Sequence, residues 1–271
     1  MSTQKITFSV NRFGSTYGMN DATNAILGKY IKNPIDIVVS EVNPNDLVES
    51  KVTLYKNNNP IILKEGADYD VNKTGGNGAW NEYTYVIHAD NFKDDGVYSV
   101  SIYSVDKAGN TSENSLDSKN KPIQFGVDNS DPNIVVSNLQ NNTTYATELY
   151  TVKLLISDNL VLNGVDVYLD DYTNPYKSWT GEEVAAVVSG TGDFSFDIND
   201  ASNGSHKVKI VATDAAGNKH EIEVSNFYVT TNLFVRYYTN TPLFIGSIIG
   251  LLVIIALAVF IVVIKRKYGR R

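Results

Sequence analysis

Residues 94–110 read DDGVYSVSIYSVDKAGN, and residues 202–218 read SNGSHKVKIVATDAAGN. The two stretches align at a constant offset of 108. Each is a turn, then an alternating strand, then Asp-X-Ala-Gly-Asn. In that pentad glycine takes φ > 0, alanine packs under the turn, and the aspartate accepts backbone N–H bonds across it. Strand character resumes after the second copy in Glu221-Ile222-Glu223-Val224, so the pentad reads as a hairpin joining the last two strands of a β-domain. Val52-Thr53-Leu54-Tyr55 parallels Asp166-Val167-Tyr168 in the same way, with a slightly longer offset. One β-domain is therefore expected twice in tandem.

The flanking sequence fills in both copies. Lys5–Asn11 alternates with Ile6, Phe8 and Val10 on one face, and Arg12–Lys29 reads as a polar, glycine-punctuated loop. Strands are expected in Pro34–Val39, Lys51–Tyr55, Pro60–Leu63, Glu82–His88, Gly96–Val105 and Pro122–Val127, with a flexible turn at Gly75–Gly78 and no helix. The second series runs through Asn133–Ser137, Thr151–Ile156, Val165–Leu169, Phe194–Ile198, Lys207–Ala212 and Glu221–Val229. Turn signals every 8–12 residues are the sandwich pattern. Val127-Asp128-Asn129-Ser130-Asp131-Pro132 is the hinge, because Pro132 cannot donate to a ladder. The expected fold is all-β: two sandwiches over 1–131 and 132–231, a linker over 232–242, and a transmembrane helix over 243–264.

That helix is LFIGSIIGLLVIIALAVFIVVI, Leu243–Ile264, with no charge and one hydroxyl, Ser247. Its 22 residues span about 33 Å as a helix, enough to cross a hydrocarbon core of roughly 30 Å. Lys265, Arg266 and Lys267 follow at once, with Arg270 and Arg271 completing a basic tail over 265–271. Basic residues beside a span stay cytoplasmic, so everything before Leu243 is expected outside the cell. Arg236-Tyr237-Tyr238 falls at the membrane interface. Gly246 and Gly250 form a GxxxG, a spacing that lets two membrane helices approach closely but is also common in single spans.

The chain carries 23 basic and 30 acidic residues, and since the tail holds five of the basic ones, residues 1–264 carry an excess of twelve acidic groups. A surface of that sign does not bind nucleic acid through phosphates. It serves solubility or cation binding. With no cysteine, folding rests on hydrophobic cores rather than disulfides, which favours a bacterial over an animal surface. Residues 1–20 hold no basic-then-apolar stretch, and residues 1–10 alternate like a strand, so the chain is expected to be the C-terminal part of a longer molecule.

Asp94-Asp95-Gly96-Val97-Tyr98-Ser99-Val100 resembles the tyrosine corner of immunoglobulin-like domains, with His206 in place of the tyrosine in the second copy. With its Asp106–Asn110 and Asp214–Asn218 hairpins and its Val127–Pro132 linker, the chain resembles bacterial immunoglobulin-like repeat surface proteins. The resemblance covers roughly residues 5–230 and implies a stalk or adhesive module at the cell surface, but names no ligand. No LPxTG-type sorting signal precedes the anchor, so a plain single-pass membrane anchor is the better fit.

The linker also looks loosely like the calcium-binding linkers of cadherin-type repeats. Calcium takes six to eight oxygens, and Asp106, Asp128, Asn129, Asp131 and Asp214 are the candidate ligands; the alternative is a polar turn before a proline. A second candidate is an aromatic loop, Tyr172, Tyr176 and Trp179, which could stack on an extracellular glycan or grip a protein, or simply pack on its own sandwich. His88, His206 and His220 fall in no zinc or triad spacing, no phosphate loop is present, and no enzyme activity is expected. The expected function is a non-catalytic surface stalk or adhesion module. The rivals are a binding module in its own right and the anchor of a larger enzyme.

Overall fold

The computed structural model describes residues 10–75, 80–114, 123–190, 192–200 and 204–269. The chain divides into two compact units. One is built from the chain up to Asp131 together with Asp158–Leu162 and Thr213–Lys219; the other takes Pro132–Ser157, Asn163–Ala212 and the chain from His220 on.

In the first unit the strands among the described residues are β1 (Thr16–Met19), β2 (Tyr30–Ile31), β3 (Ile37–Asn43), β4 (Leu47–Lys56), β5 (Asn59–Ile62), β6 (Tyr69–Thr74), β7 (Asn81–Ile87), β8 (Gly96–Asp106), β9 (Thr111–Glu113) and β10 (Ile123–Val127). They form two sheets, β1-β3-β7-β6 and β2-β10-β8-β4-β5, with β9 pairing β8. Period-two burial explains the layering. Ile37 and Val39 from β3, with Tyr85 and Ile87 from β7, meet Val52, Tyr98, Ile102 and Phe125 from the other sheet in one core. The chain enters on one sheet with β1 and crosses to the other with β2, which pairs in parallel with β10 (Tyr30↔Gly126, Ile31↔Val127). That pair is close: a Cβ on Gly126 would overlap the Tyr30 ring.

The second unit repeats the plan. β11 (Asn133–Val136), β13 (Leu149–Ser157) and β16 (Phe194–Asn199) make one sheet. β12 (Thr144–Tyr145), β18 (Lys219–Val229), β17 (His206–Asp214), β14 (Leu162–Leu169) and β15 (Lys177–Thr180) make the other, again with a parallel pair, β12 on β18. Both units are immunoglobulin-like sandwiches. The corner of the first is closed as expected, Tyr98 donating to the Asp94 carbonyl at 2.6 Å. In the second, His206 Nδ1 lies 2.8 Å from Asp170 Oδ2, which places the ring proton on Nδ1 because a carboxylate only accepts.

The structure departs from the sequence reading in its helices. Asp21–Ile26, expected in a loop, is a helix, α1, because Asn20 caps it by accepting from Thr23 N at 2.8 Å. Glu182–Val188 is a second, α2, with Glu182 and Glu183 in its first turn, and Ala89–Phe92 is a 3-10 turn. The strand expected over Lys5–Asn11 lies outside the described residues except Val10 and Asn11, which are not strand; the turn at Gly75–Gly78 lies outside them except Gly75.

After β18 come α3 (Leu233–Thr239) and α4 (Thr241–Tyr268). Asn232 caps α3 through Phe234 N, and Asn240 caps α4 through Leu243 N. α4 holds the whole expected span, from Leu243 through Gly246, Gly250 and Ile264, and runs on through Lys265, Arg266 and Lys267. Its most apolar window has a mean hydropathy of 3.4 and none of its residues is buried within the protein.

One surface group in the first unit has a checkable titration. His88 faces acceptors on both ring nitrogens, Asp70 Oδ2 at 3.1 Å from Nε2 and the Ala67 carbonyl at 3.2 Å from Nδ1. Both contacts are satisfied only by the doubly protonated ring, so Asp70 first and the Ala67 carbonyl second hold the His88 pKa above its ordinary 6.5. A raised folded value means the contribution is complete below the unfolded pKa and is lost as pH rises through the folded one. In an NMR titration His88 Hε1 is expected to move at higher pH than a free histidine, and Asp70→Ala should return it toward 6.5. A midpoint unchanged by Asp70→Ala would refute the pairing.

Candidate metal centre

The two Asp-X-Ala-Gly-Asn hairpins close in the same way. Asp106 Oδ1 accepts from Ala108 N and Asn110 N, both at 2.9 Å, and Asp214 Oδ1 accepts from Asn218 N at 2.7 Å. The backbone closes too, through Asp106 N to Asn110 O and Asp214 N to Asn218 O, with Gly109 and Gly217 at φ 83° and 85°. Asp106 is held on both oxygens and has no other carboxylate grouped with it. Its Oδ2 accepts from Asn110 Nδ2 at 2.9 Å and from Asn11 Nδ2 at 3.3 Å, and burial, which opposes ionisation, is outweighed chiefly by the Asn110 side-chain and backbone donors, so its carboxyl stays below the ordinary range.

Asp214 differs in its surroundings. Asn218, buried at the hairpin, donates to Asp214 Oδ2 at 2.6 Å and to the Asp128 carbonyl at 2.9 Å, stitching the hairpin to the end of β10. Asp158 follows β13 and accepts from Leu160 N through Oδ2 at 2.9 Å. Asp128, Asp158 and Asp214 each place a carboxylate oxygen within 4.8 Å of the others. Asp128 and Asp214 are each 1 % exposed. Asp128 Oδ1 accepts from Ser130 N at 3.2 Å, whereas Asp128 Oδ2 and Asp158 Oδ1 are buried without a hydrogen-bond partner among the described residues.

The electrostatics are unfavourable as the carboxylates stand. Burial pushes the Asp128 carboxyl above its ordinary pKa, the Ser130 N–H opposes this, and the charges of Asp158, Asp214 and Asp95 push it further up. At an effective dielectric near 20, two like charges this close cost about 3 kcal/mol or more. Among the described residues, no lysine, arginine or histidine forms an ion pair with any of the three.

The expected calcium set is thus brought together only in part. Asp128 and Asp214 join, and Asp158, which the sequence reading missed, completes the group. Asp106 is spent in its own hairpin. Asn129 and Asp131 are exposed and outside the group, with Asn129 donating to Asp95 Oδ1 through its N–H at 2.8 Å. Asp95 also accepts from Ser130 Oγ at 2.6 Å and Asn159 Nδ2 at 3.0 Å. Burial works against its ionised form, but these donors hold its carboxyl below the ordinary range.

The aromatic loop does not assemble a stacking face. Trp179 sits in β15, 5 % exposed and edge-on to Phe194 with ring centres 5.5 Å apart, so it belongs to the core. Tyr172 is covered by Lys207 and Lys209, whose Nζ atoms lie 4.3 and 4.8 Å from its ring centre, and burial pushes its hydroxyl up to about 12. Tyr176 is exposed and donates to the Asp197 carbonyl at 2.7 Å.

No family model matches the chain, and no curated protein matches it. Solved structures similar to it include Dpr2 Ig1-Ig2 in complex with DIP-Theta Ig1-Ig3, at 11 % identity and a TM-score of 0.38, covering 79 % of this chain. The chain spans 66 % of that one's length. A bacterial ice-binding adhesin of 1.5 MDa, described for host cell surface retention, matches at 13 % identity and 0.33, over 82 % of this chain and 67 % of the other. Dimeric latent PorU from Porphyromonas gingivalis matches at 13 % and 0.29, over 80 % and 20 %. Scores this low add nothing to what the strand order already shows.

Proposed function

We propose that the chain is a non-catalytic, single-pass surface module of a bacterial cell, with its two sandwiches outside and its basic tail in the cytosol. In this reading 1–131 and 132–231 are tandem domains of one kind, and their task is to adhere or to hold a distal region away from the membrane. The observation that carries it is α4. Burying an apolar side chain is worth about 1.5–3 kcal/mol, and from Leu243 to Ile264 nearly every residue is apolar and uncovered, so a bilayer is the partner of matching chemistry. The tyrosines Tyr237 and Tyr238 before the span, and Lys265, Arg266 and Lys267 after it, supply the interface and the inside sign.

The test is protease shaving of intact cells that carry a C-terminal tag. Residues 132–230 are expected to disappear from an immunoblot while a tagged fragment stays with the membrane and resists carbonate extraction. Loss of the tag with the ectodomain protected would reverse the orientation, and release by carbonate would remove the anchor. The untreated band separates the two tasks. A band near 29.9 kDa favours a module that binds in its own right, whereas one several times heavier favours a stalk.

A further inference from the structure

We infer that Asp128, Asp158 and Asp214 form a divalent-cation site, and that its cation is calcium. Three observations converge. The three carboxylates come from separate segments, the end of β10, the turn after β13 and the β17–β18 hairpin, and bring one oxygen each within 4.8 Å of the others. Two oxygens sharing a calcium at 2.3–2.6 Å lie at most about 5 Å apart, so this spacing is what a common ion imposes. Asp128, 1 % exposed, keeps Oδ2 without a hydrogen-bond partner among the described residues, and Asp158 Oδ1 is buried in the same condition. Buried polar atoms in folded proteins are otherwise paired. The remaining oxygens of the trio are held by N–H donors from Ser130, Leu160 and Asn218, which fix the carboxylates without neutralising them.

The donor set selects the ion. All three ligands are hard oxygens, with no histidine or cysteine in the group, which suits calcium or magnesium rather than zinc or copper. Three carboxylates converging from three segments leave an irregular shell that waters complete. Calcium tolerates such a shell, whereas magnesium demands a near-ideal octahedron and keeps most of its own water. An ion here ties the chain at Asp128 to the two segments, Asp158–Leu162 and Thr213–Lys219, that pack with the first unit.

The experiment uses the full chain in detergent micelles, melted with chelator and with about 5 mM calcium, well above the range of extracellular modules. Calcium is expected to raise the wild-type melting temperature by several degrees. Asp158→Asn, which removes one of the repelling charges at constant volume, should melt at or above the wild type in chelator and lose the calcium response. Asp128→Asn should lose it too, while Asp106→Asn, in the equivalent hairpin outside the group, should keep it. Asp158 is only half-buried, so its variant carries the test even where Asp128→Asn fails to fold. No wild-type shift, an equal shift in Asp158→Asn, or a shift with magnesium and none with calcium would each overturn the assignment. None of these results depends on the membrane topology tested above.

Discussion

Replacing Glu41 by alanine is expected to lower the stability of the first sandwich by about 3–5 kcal/mol. Glu41 faces inward from β3 and is fully buried, on the same side as Ile37 and Val39. Among the described residues, no lysine, arginine or histidine forms an ion pair with it. Its Oε1 accepts from the hydroxyls of Ser15, Ser104 and Tyr17, and its Oε2 accepts from Tyr85 at 2.7 Å. Burial first, and the Glu41 charge second, raise the pKa of both tyrosines, which favours their protonated, donating form. Alanine would leave a cavity lined by hydroxyls with no acceptor, and each orphaned group costs about 1–3 kcal/mol. Some would re-pair, as Tyr17 already lies 3.1 Å from Ser104 Oγ. Glu41→Gln keeps the volume and an acceptor oxygen and should cost less, about 1–2 kcal/mol. Denaturant melts with hydrogen exchange read on 37–43 and 81–87 would measure both. A loss below about 1 kcal/mol for Glu41→Ala would mean that the hydroxyls do not need the carboxylate.

Phe92→Ala should cost a similar amount, about 3–5 kcal/mol, for a different reason. Phe92 ends the 3-10 turn before β8 and is fully buried, edge-on to Tyr98 at 5.4 Å and to Phe125 at 5.1 Å between ring centres. Tyr98 and Phe125 stack at 5.9 Å, so the three rings form one cluster directly under the tyrosine corner. Removing the ring opens a cavity that two rigid neighbours cannot collapse into. Phe92→Leu should recover most of the loss. Trp80→Ala, at a half-exposed site in the same unit, should stay within about 1 kcal/mol. Equal costs at Phe92 and Trp80 in a thermal melt would refute the packing account.

What could be read from the sequence follows from the range of each signal. The hairpins at Asp106 and Asp214 were legible because turn chemistry is local, and β8 and β17 because a half-buried strand alternates. α1 and α2 were missed because six or seven residues are too few for a 3.6-residue period to separate from noise. Trp179 read as part of a loop because the turn residues from Asp171 to Pro175 run straight into a four-residue strand. The cation group was half legible. Asp128 and Asp214 sit beside visible turns, but Asp158 reaches them only through the fold, and nothing local separates it from a solvated carboxylate. Asp106 misled by the same logic, since the shared pentad does not reveal that one copy has a second carboxylate beside it and the other has Asn11. Glu41 did carry a signal, a charge at the inward phase of a strand whose preceding inward positions are Ile37 and Val39.

The short parallel pairs near the ends of each sandwich, β2 with β10 and β12 with β18, set how the molecule answers a pulling force. When the entering strand is drawn backward and the leaving strand forward, parallel neighbours slide along each other. Their hydrogen bonds are then loaded in shear and must rupture together, whereas an antiparallel pair drawn from one end unzips bond by bond. The Tyr30 ring seated against Gly126 adds a steric catch to the first of these clamps. Drawn apart by its two ends, each sandwich would yield last at these seams.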